Sequence, residues 1–267
     1  MMHGVASAVR VEKLVRRFGA LTAVAGIDLV VDPGALFGLL GSNGAGKTTL
    51  LRMLTTLLPP SEGHAEVAGF DVVARPREVR RRIGYVPQLV SADGALTARE
   101  NLSVSARLYG LPRALRAPRI DEALATTGLV SAADELVRGY SGGMIRRLEI
   151  AQAMLHRPAV LFLDEPTVGL DPTARHAVWD RLRQIRGGTT MVLTTHDMQE
   201  ADALCDRIAI LHRGSVVALG SPEELKTQVK PGATMDDVFA HFTGGEVEAG
   251  GNYRDISRTR RTAERLG

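Results

Sequence analysis

The sequence predicts an α/β fold, and three observations predict it. An apolar run, Leu36-Phe37-Gly38-Leu39-Leu40, leads into a glycine-rich turn and a helical pattern, as expected of a central strand covered on both faces. A second apolar run, Val160-Leu161-Phe162-Leu163, ends in two acids, Asp164 and Glu165. Between Gln88 and Pro158, Ala, Leu and Arg recur at helical spacing, broken at Gly110-Leu111-Pro112 and Gly128. That stretch reads as a helical insertion between two strands of the core.

The elements follow in chain order. Val9-Arg10-Val11 and residues 21–24 and 27–31 read as short strands closed by Asp32-Pro33-Gly34. After the central strand, a helix is expected from Lys47 to about residue 57, stopped by Pro59-Pro60. Further strands are expected at 83–86, 160–163, 191–195 and 207–211, the last turning at Arg213-Gly214 into a return strand at 216–219. Residues 199–206 read as helical, and short helices are expected at 223–229 and 235–242. From Glu246 the chain is polar, rich in Gly and Arg and without periodicity, the signature of a disordered tail.

Charge narrows the function. The 33 cations divide into 29 Arg and 4 Lys, and against 30 acids they leave a net +3. Residues 252–267 alone carry five Arg against Asp255 and Glu264, so the excess sits in the tail and the body is neutral. A high isoelectric point therefore gives no support to a nucleic-acid partner. The cluster Arg75, Arg77, Arg80, Arg81 and Arg82 reads as a solvated helix face, and the histidines lack metal-ligand spacing. A single cysteine, Cys205, rules out an intramolecular disulfide framework and is expected to be inert packing. No signal peptide and no membrane-spanning run are expected, which points to a cytoplasmic protein.

The chemistry begins at Gly41-Ser42-Asn43-Gly44-Ala45-Gly46-Lys47-Thr48, which fits G-x-x-x-x-G-K-[ST] between a strand and a helix. Glycines let successive backbone N–H groups turn toward phosphate oxygens, and the helix N-terminus adds a positive dipole end. Lys47 can reach the β- and γ-phosphates, Thr49 continues the loop, and Thr48 is placed to ligate Mg²⁺. At the end of the second apolar strand Asp164 would hold Mg²⁺ and Glu165 would orient the attacking water. No Asn-Lys-x-Asp tetrapeptide for reading guanine occurs.

Tyr140-Ser141-Gly142-Gly143-Met144 precedes the acid strand and opens a basic helix. With Gln88 after Tyr85-Val86-Pro87, Gly169-Leu170-Asp171-Pro172, and His196 in Thr194-Thr195-His196-Asp197, the chain resembles the ATP-binding subunits of ABC transporters, motif by motif and in order. Tyr140 and Met144 replace the more usual Leu and Gln. The whole run 140–151, and Gly232-Ala233-Thr234-Met235 near the end, is similar to the daunorubicin/doxorubicin-resistance group of efflux ATPases.

The resemblance implies a P-loop NTPase (RecA-like) core with an N-terminal antiparallel β subdomain and an inserted helical subdomain. It implies a nucleotide-binding domain over residues 1–225, with the helical part near 89–157, and a helical extension over 226–245. It implies a homodimer closing head to tail on two ATP molecules. Each phosphate loop would face the Ser141-Gly142-Gly143 segment of the partner. Gln88 would sense Mg²⁺ and the water, His196 would bond the γ-phosphate, Asp171 would shape the dimer contact, and Phe18 would stack on adenine. It further implies a separate integral membrane permease, engaged through residues 89–110, and a place on the inner face of the cell membrane. The alternative function class is a soluble cassette ATPase acting on ribosomes or DNA without a membrane partner, which usually carries two cassettes or a long coiled-coil insertion. This chain has one cassette and no sustained heptads.

Overall fold

The computed structural model describes residues 7–245; the expected tail at 246–267 lies outside the described residues. The chain opens with β1 (Val9–Phe18) and β2 (Leu21–Val31), then β3 (Leu36–Leu40) and α1 (Lys47–Leu54). Next come β4 (Glu62–Val67), β5 (Phe70–Asp71), α2 (Pro76–Arg80) and β6 (Ile83–Val86). The insertion holds α3 (Ala98–Leu108), α4 (Arg113–Thr127) and α5 (Gly142–Met154). The chain then alternates through β7 (Val160–Asp164), α6 (Pro172–Ile185), β8 (Thr190–Thr195), α7 (Met198–Leu204) and β9 (Arg207–His212). It closes with β10 (Ser215–Gly220), α8 (Pro222–Val229) and α9 (Met235–Thr243).

Two sheets form. The first is antiparallel in the order β2-β1-β4-β5, and the second runs β10-β9-β3-β8-β7-β6, parallel except for β10 on its edge. Every residue of β3, β7 and β8 is buried, as parallel strands covered on both faces require. The register pairs Leu40 with Thr195, Asp164 with Thr194 and Val86 with Leu163, so four strands end at one edge. Ligand sites of open α/β sheets form at that edge.

Three apolar clusters account for the packing. One joins the first sheet to α1 and one face of the second sheet, through Leu14, Phe37, Leu50 and Phe162. Another covers the opposite face with α6 to α9, through Trp179, Leu182, Leu225 and Phe239. The third belongs to the insertion, where Leu102, Leu124 and Leu148 meet between α3, α4 and α5.

Most expected elements appear within a residue or two, and the differences have local causes. β1 continues to Phe18 because bulges, with Lys13 at φ 47°, absorb the irregular register across Glu12-Lys13. β2 is one strand where two were expected, since Gly26 passes through at φ 79°. The helix from Lys47 ends at Leu54: Thr55 turns its hydroxyl back to Leu51 O, and Thr56 is left-handed. β4 and β5 were not anticipated. Of the cationic run at 75–82, Arg75 and Arg82 place their guanidinium groups 4.4 and 4.2 Å from the Phe70 ring centroid instead of pointing only to solvent. Cys205 is buried, with its thiol pushed well up by burial, against a Gly38 whose Cβ would meet its Sγ at 2.7 Å.

Close approach makes one glycine a sharp test. A Cβ on Gly84 of β6 would lie 2.5 Å from the Ala153 carbonyl oxygen, whereas Gly188 faces open space. Gly84→Ala is expected to lower unfolding free energy by about 1–3 kcal/mol through overpacking. Gly188→Ala should stay within about 0.5 kcal/mol; urea denaturation of both variants checks the contrast.

Candidate functional site

The loop between β3 and α1 is built for a compact anion. Gly46, the N-cap of α1, has φ 103°, and no side chain caps the helix or places an acid in its first turn. Its first N–H groups are therefore free of the intramolecular acceptors that usually satisfy a helix start. The backbone presses in from outside: a Cβ on Gly46 would lie 2.4 Å from Ala23 O in β2, and one on Gly41 2.6 Å from Leu211 O in β9. Glycine is required at both positions, and the first sheet buttresses the loop from behind.

Lys47 is buried and donates from Nζ to Gly41 O at 2.7 Å and Ser42 O at 3.0 Å. Its Nζ also lies 3.4 Å from Glu165 Oε1. Burial lowers the Lys47 pKa from 10.5, opposed by the charges of Glu165 and Asp164. Beside it, Thr48 Oγ1 donates to Asp164 Oδ1 at 3.1 Å, and Thr194 Oγ1 donates to the same oxygen at 2.7 Å. Thr48 and Asp164 thus offer two hard oxygens next to the phosphate loop. Among the described residues no three of His, Cys, Asp and Glu cluster as a metal cage. That donor set suits Mg²⁺, which binds through few protein oxygens plus phosphate and water.

Glu165 sits at the focus. Its φ of 48° is the left-handed region, uncommon for any residue but glycine. The conformation is held because its N–H donates to Thr194 Oγ1 at 2.9 Å, with Thr194 O at 3.2 Å. The carboxylate is buried and receives Gln88 Nε2 at 3.3 Å on Oε2, where His196 Nδ1 also lies at 3.3 Å. Burial works to raise its pKa, but the His196 hydrogen bond and the Lys47 and His196 charges outweigh it, leaving it below 4.5. The same hydrogen bond, against burial, raises His196 above 6.5. Glu165 is thus ionised and surrounded by donors.

Phe18, Ser42 to Thr49, Gln88 and Glu165 line one cleft, and Glu165, Asp171, His196 and Arg175 line an adjoining one. Ser141, Gly142 and Gly143 line neither. They form the start of α5, where Ser141 and Gly142 are exposed and Gly143 is buried; the Ser141 hydroxyl accepts the Met144 N–H, and a Cβ on Gly143 would meet that of Ala174 at 2.8 Å. Asp171 N-caps α6 through the Ala174 N–H at 2.9 Å. Phe18 is 45% exposed, and the Arg16 guanidinium lies 4.6 Å from its ring centroid.

Sequence reasoning missed three contributors. Thr194 orients both acids, and only its place before His196 hinted at it. Arg16 leaves one face of Phe18 for another planar group, a pairing that β1 creates without a sequence motif. Arg175 binds Asp197 at 2.6 Å and so ties the start of α6 to the His196 turn.

Loss of the Glu165 charge should be felt at His196. Without added nucleotide, the His196 imidazole is expected to titrate above 6.5, and Glu165→Gln should bring it down toward that value. An NMR pH titration checks the direction, and an unmoved midpoint would remove the coupling.

Known proteins match this chain along most of its length. The family model described as ABC transporter matches residues 24–168. The daunorubicin resistance ATP-binding protein DrrA2 of Streptomyces coeruleorubidus is 48% identical over 223 residues, covering 83% of this chain and 69% of that one. A Nod factor export ATP-binding protein I from Ralstonia nicotianae is 44% identical over 218 residues, 81% of this chain and 68% of its own. A solved structure of the ATP binding subunit of an ABC transporter superposes with TM-score 0.78 at 31% identity, covering 88% of this chain and 99% of that one. The phosphate loop, the acid-tipped strand and the helical insert therefore belong together by descent: the chain is a member of the ABC transporter family, an ATPase whose hydrolysis of ATP drives transport.

Proposed function

We propose that this ATPase energises export of a drug, antibiotic or related amphiphile through a separate integral membrane permease. The carrying observation is the buried Glu165 carboxylate, met by Lys47 at 3.4 Å and by Gln88 and His196 at 3.3 Å each. The export reading is supported by the similarity to proteins named for daunorubicin resistance and Nod factor export.

In this reading the phosphate-loop N–H groups bind the β- and γ-phosphates, Lys47 exchanges its two carbonyl acceptors for phosphate oxygens, and Phe18 stacks on adenine. Thr48 and Asp164, with Gln88 near, hold Mg²⁺, which supplies charge neutralisation on the phosphates. Glu165 and Gln88 line up a water for attack on the γ-phosphorus. The bond to the bridging oxygen breaks, ADP keeps that electron pair, and the water's proton passes to Glu165. His196 donates a ring N–H to the γ-phosphate.

Two copies pair head to tail, with Ser141-Gly142-Gly143 of one over the phosphate loop of the other. That exposed helix start offers a second set of N–H groups, and Asp171 lies beside it. Residues 1–225 act as the nucleotide-binding domain, 89–157 as its helical subdomain and 226–245 as a packed extension. Among the described residues no helix is long and apolar enough to cross a membrane. We place the chain on the cytoplasmic face, with the permease against residues 89–110. Leu89 and Leu108, each 82% exposed, are apolar contacts there.

Glu165→Gln is expected to bind ATP, lose turnover by about 10²–10⁴-fold and accumulate as an ATP-bound dimer. Phosphate release and light scattering check this, and near wild-type hydrolysis would take the proton-accepting role from Glu165. Leu108→Asp should leave hydrolysis by the isolated subunit intact yet reduce its recovery with membranes holding the permease. Unchanged recovery would move the contact elsewhere.

A further inference from the structure

The helix that begins at Ser141 carries a buried ion pair that the chemistry above does not use. Arg146 and Glu149 are 5% and 2% exposed, one turn apart on the same face of α5. Arg146 Nη1 lies 3.0 Å from Glu149 Oε2, an oxygen that receives no well-directed hydrogen bond and is held by charge alone. Burial pulls the Arg146 pKa down against the field of Glu149. Two charges taken out of water are costly, and apolar residues of similar shape commonly serve the fold as well or better.

The pair's remaining bonds converge on one short loop. Arg146 donates to Pro87 O at 2.7 Å and to Gln88 O at 3.0 Å. Glu149 Oε1 accepts the Ser91 N–H at 2.5 Å and the Ser91 hydroxyl at 2.9 Å. Charged partners make these the stronger class of hydrogen bond. Among the described residues, the backbone from Gln88 to Ala92 makes no hydrogen bond to another backbone group. The segment that aims Gln88 at Glu165 is therefore located by side chains of α5 from both sides, and not by the sheet from which it emerges.

We propose that Arg146 and Glu149 are positioning residues for hydrolysis, fixing Gln88 against Glu165 by gripping the backbone at Pro87–Gln88 and at Ser91. The placement of Gln88 then follows α5, whose first residues are Ser141 to Gly143. A shift of that helix start is carried by a rigid helix and four charged hydrogen bonds to the group 3.3 Å from the Glu165 carboxylate. The loop between the two grips exposes Leu89 and Val90, so an apolar contact there reaches Gln88 through the same clamp.

The inference rests on the reading of Gln88 as a water-aligning group, and the experiment separates the two. Steady-state ATP hydrolysis by the full chain is measured for R146M/E149L, for Gln88→Ala and for the three changes combined. The apolar pair keeps the volume of the buried site, so the thermal midpoint should be retained. kcat is expected to fall about tenfold with KM for ATP within about twofold, since nucleotide contacts are untouched and only alignment is lost. In the Gln88→Ala background the same change should cost less than about twofold, because one function is removed once. Ser91→Pro deletes the N–H at the far grip from the exposed loop and should reproduce the kcat loss. Additive losses, or wild-type kcat in both R146M/E149L and Ser91→Pro, would overturn the clamp while leaving Gln88 its role. A silent Gln88→Ala would overturn both.

Discussion

Everything in this site depends on the in-register parallel pairing of β3, β8 and β7. Pairing Leu40 with Thr195 and Asp164 with Thr194 delivers the phosphate loop, the two acids and His196 to one edge. Each group is then held by the next strand. Thr194 bonds Asp164 and the Glu165 N–H, and Gly41 N–H donates to Thr195 O at 3.2 Å. A one-residue slip would turn every side chain of a strand to the other face and scatter the constellation.

That edge brings the buried Lys47 and Glu165 against the half-exposed His196, and burial and mutual charge set the direction of each pKa shift. Burial disfavours an ammonium at Lys47 and a carboxylate at Glu165; Glu165 and Asp164 sustain the first, and His196 and Lys47 sustain the second. Such a site is costly to form and preorganised once formed. Its donors already converge on the Glu165 carboxylate, so the cluster is assembled by the fold before any ligand binds. The left-handed backbone at Glu165 belongs to the same trade, a local strain retained because Thr194 over-determines it.

The insertion contributes through a different device. Its own apolar cluster lets α3, α4 and α5 behave as one packed unit, yet α5 also reaches into the loop after β6 with two buried charges. A packed interior transmits displacement instead of absorbing it. The chain thereby links the exposed helix start at Ser141 to Gln88 without a continuous stretch of backbone hydrogen bonds between them.

The parallel core was legible because its signals are local. A continuous apolar run means a strand buried on two faces, and Gly-x-x-x-x-Gly-Lys-Thr between strand and helix means a phosphate cradle, whatever surrounds them. Glu165 was legible as an acid at a strand end, and Gln88 and His196 only through the order of motifs that the chain shares with the ABC transporter family. Strand β4 was not, because Glu62-Gly63-His64 is exposed and the alternation begins only at Ala65, so its strand character comes from pairing with β1. The Arg16–Phe18 stack and the clamp by Arg146 and Glu149 were invisible for the same reason. An arginine and a glutamate three apart on a helix read as a solvated pair; only the packing of α5 against the loop after β6 buries them. The sequence by itself determined which chemical groups exist and which local conformations they favour, since propensity and spacing act over a few residues. Which charges are dry, which carboxylate is surrounded by donors and which loop is gripped were decided by the tertiary structure, because burial and long-range contact are properties of the whole fold.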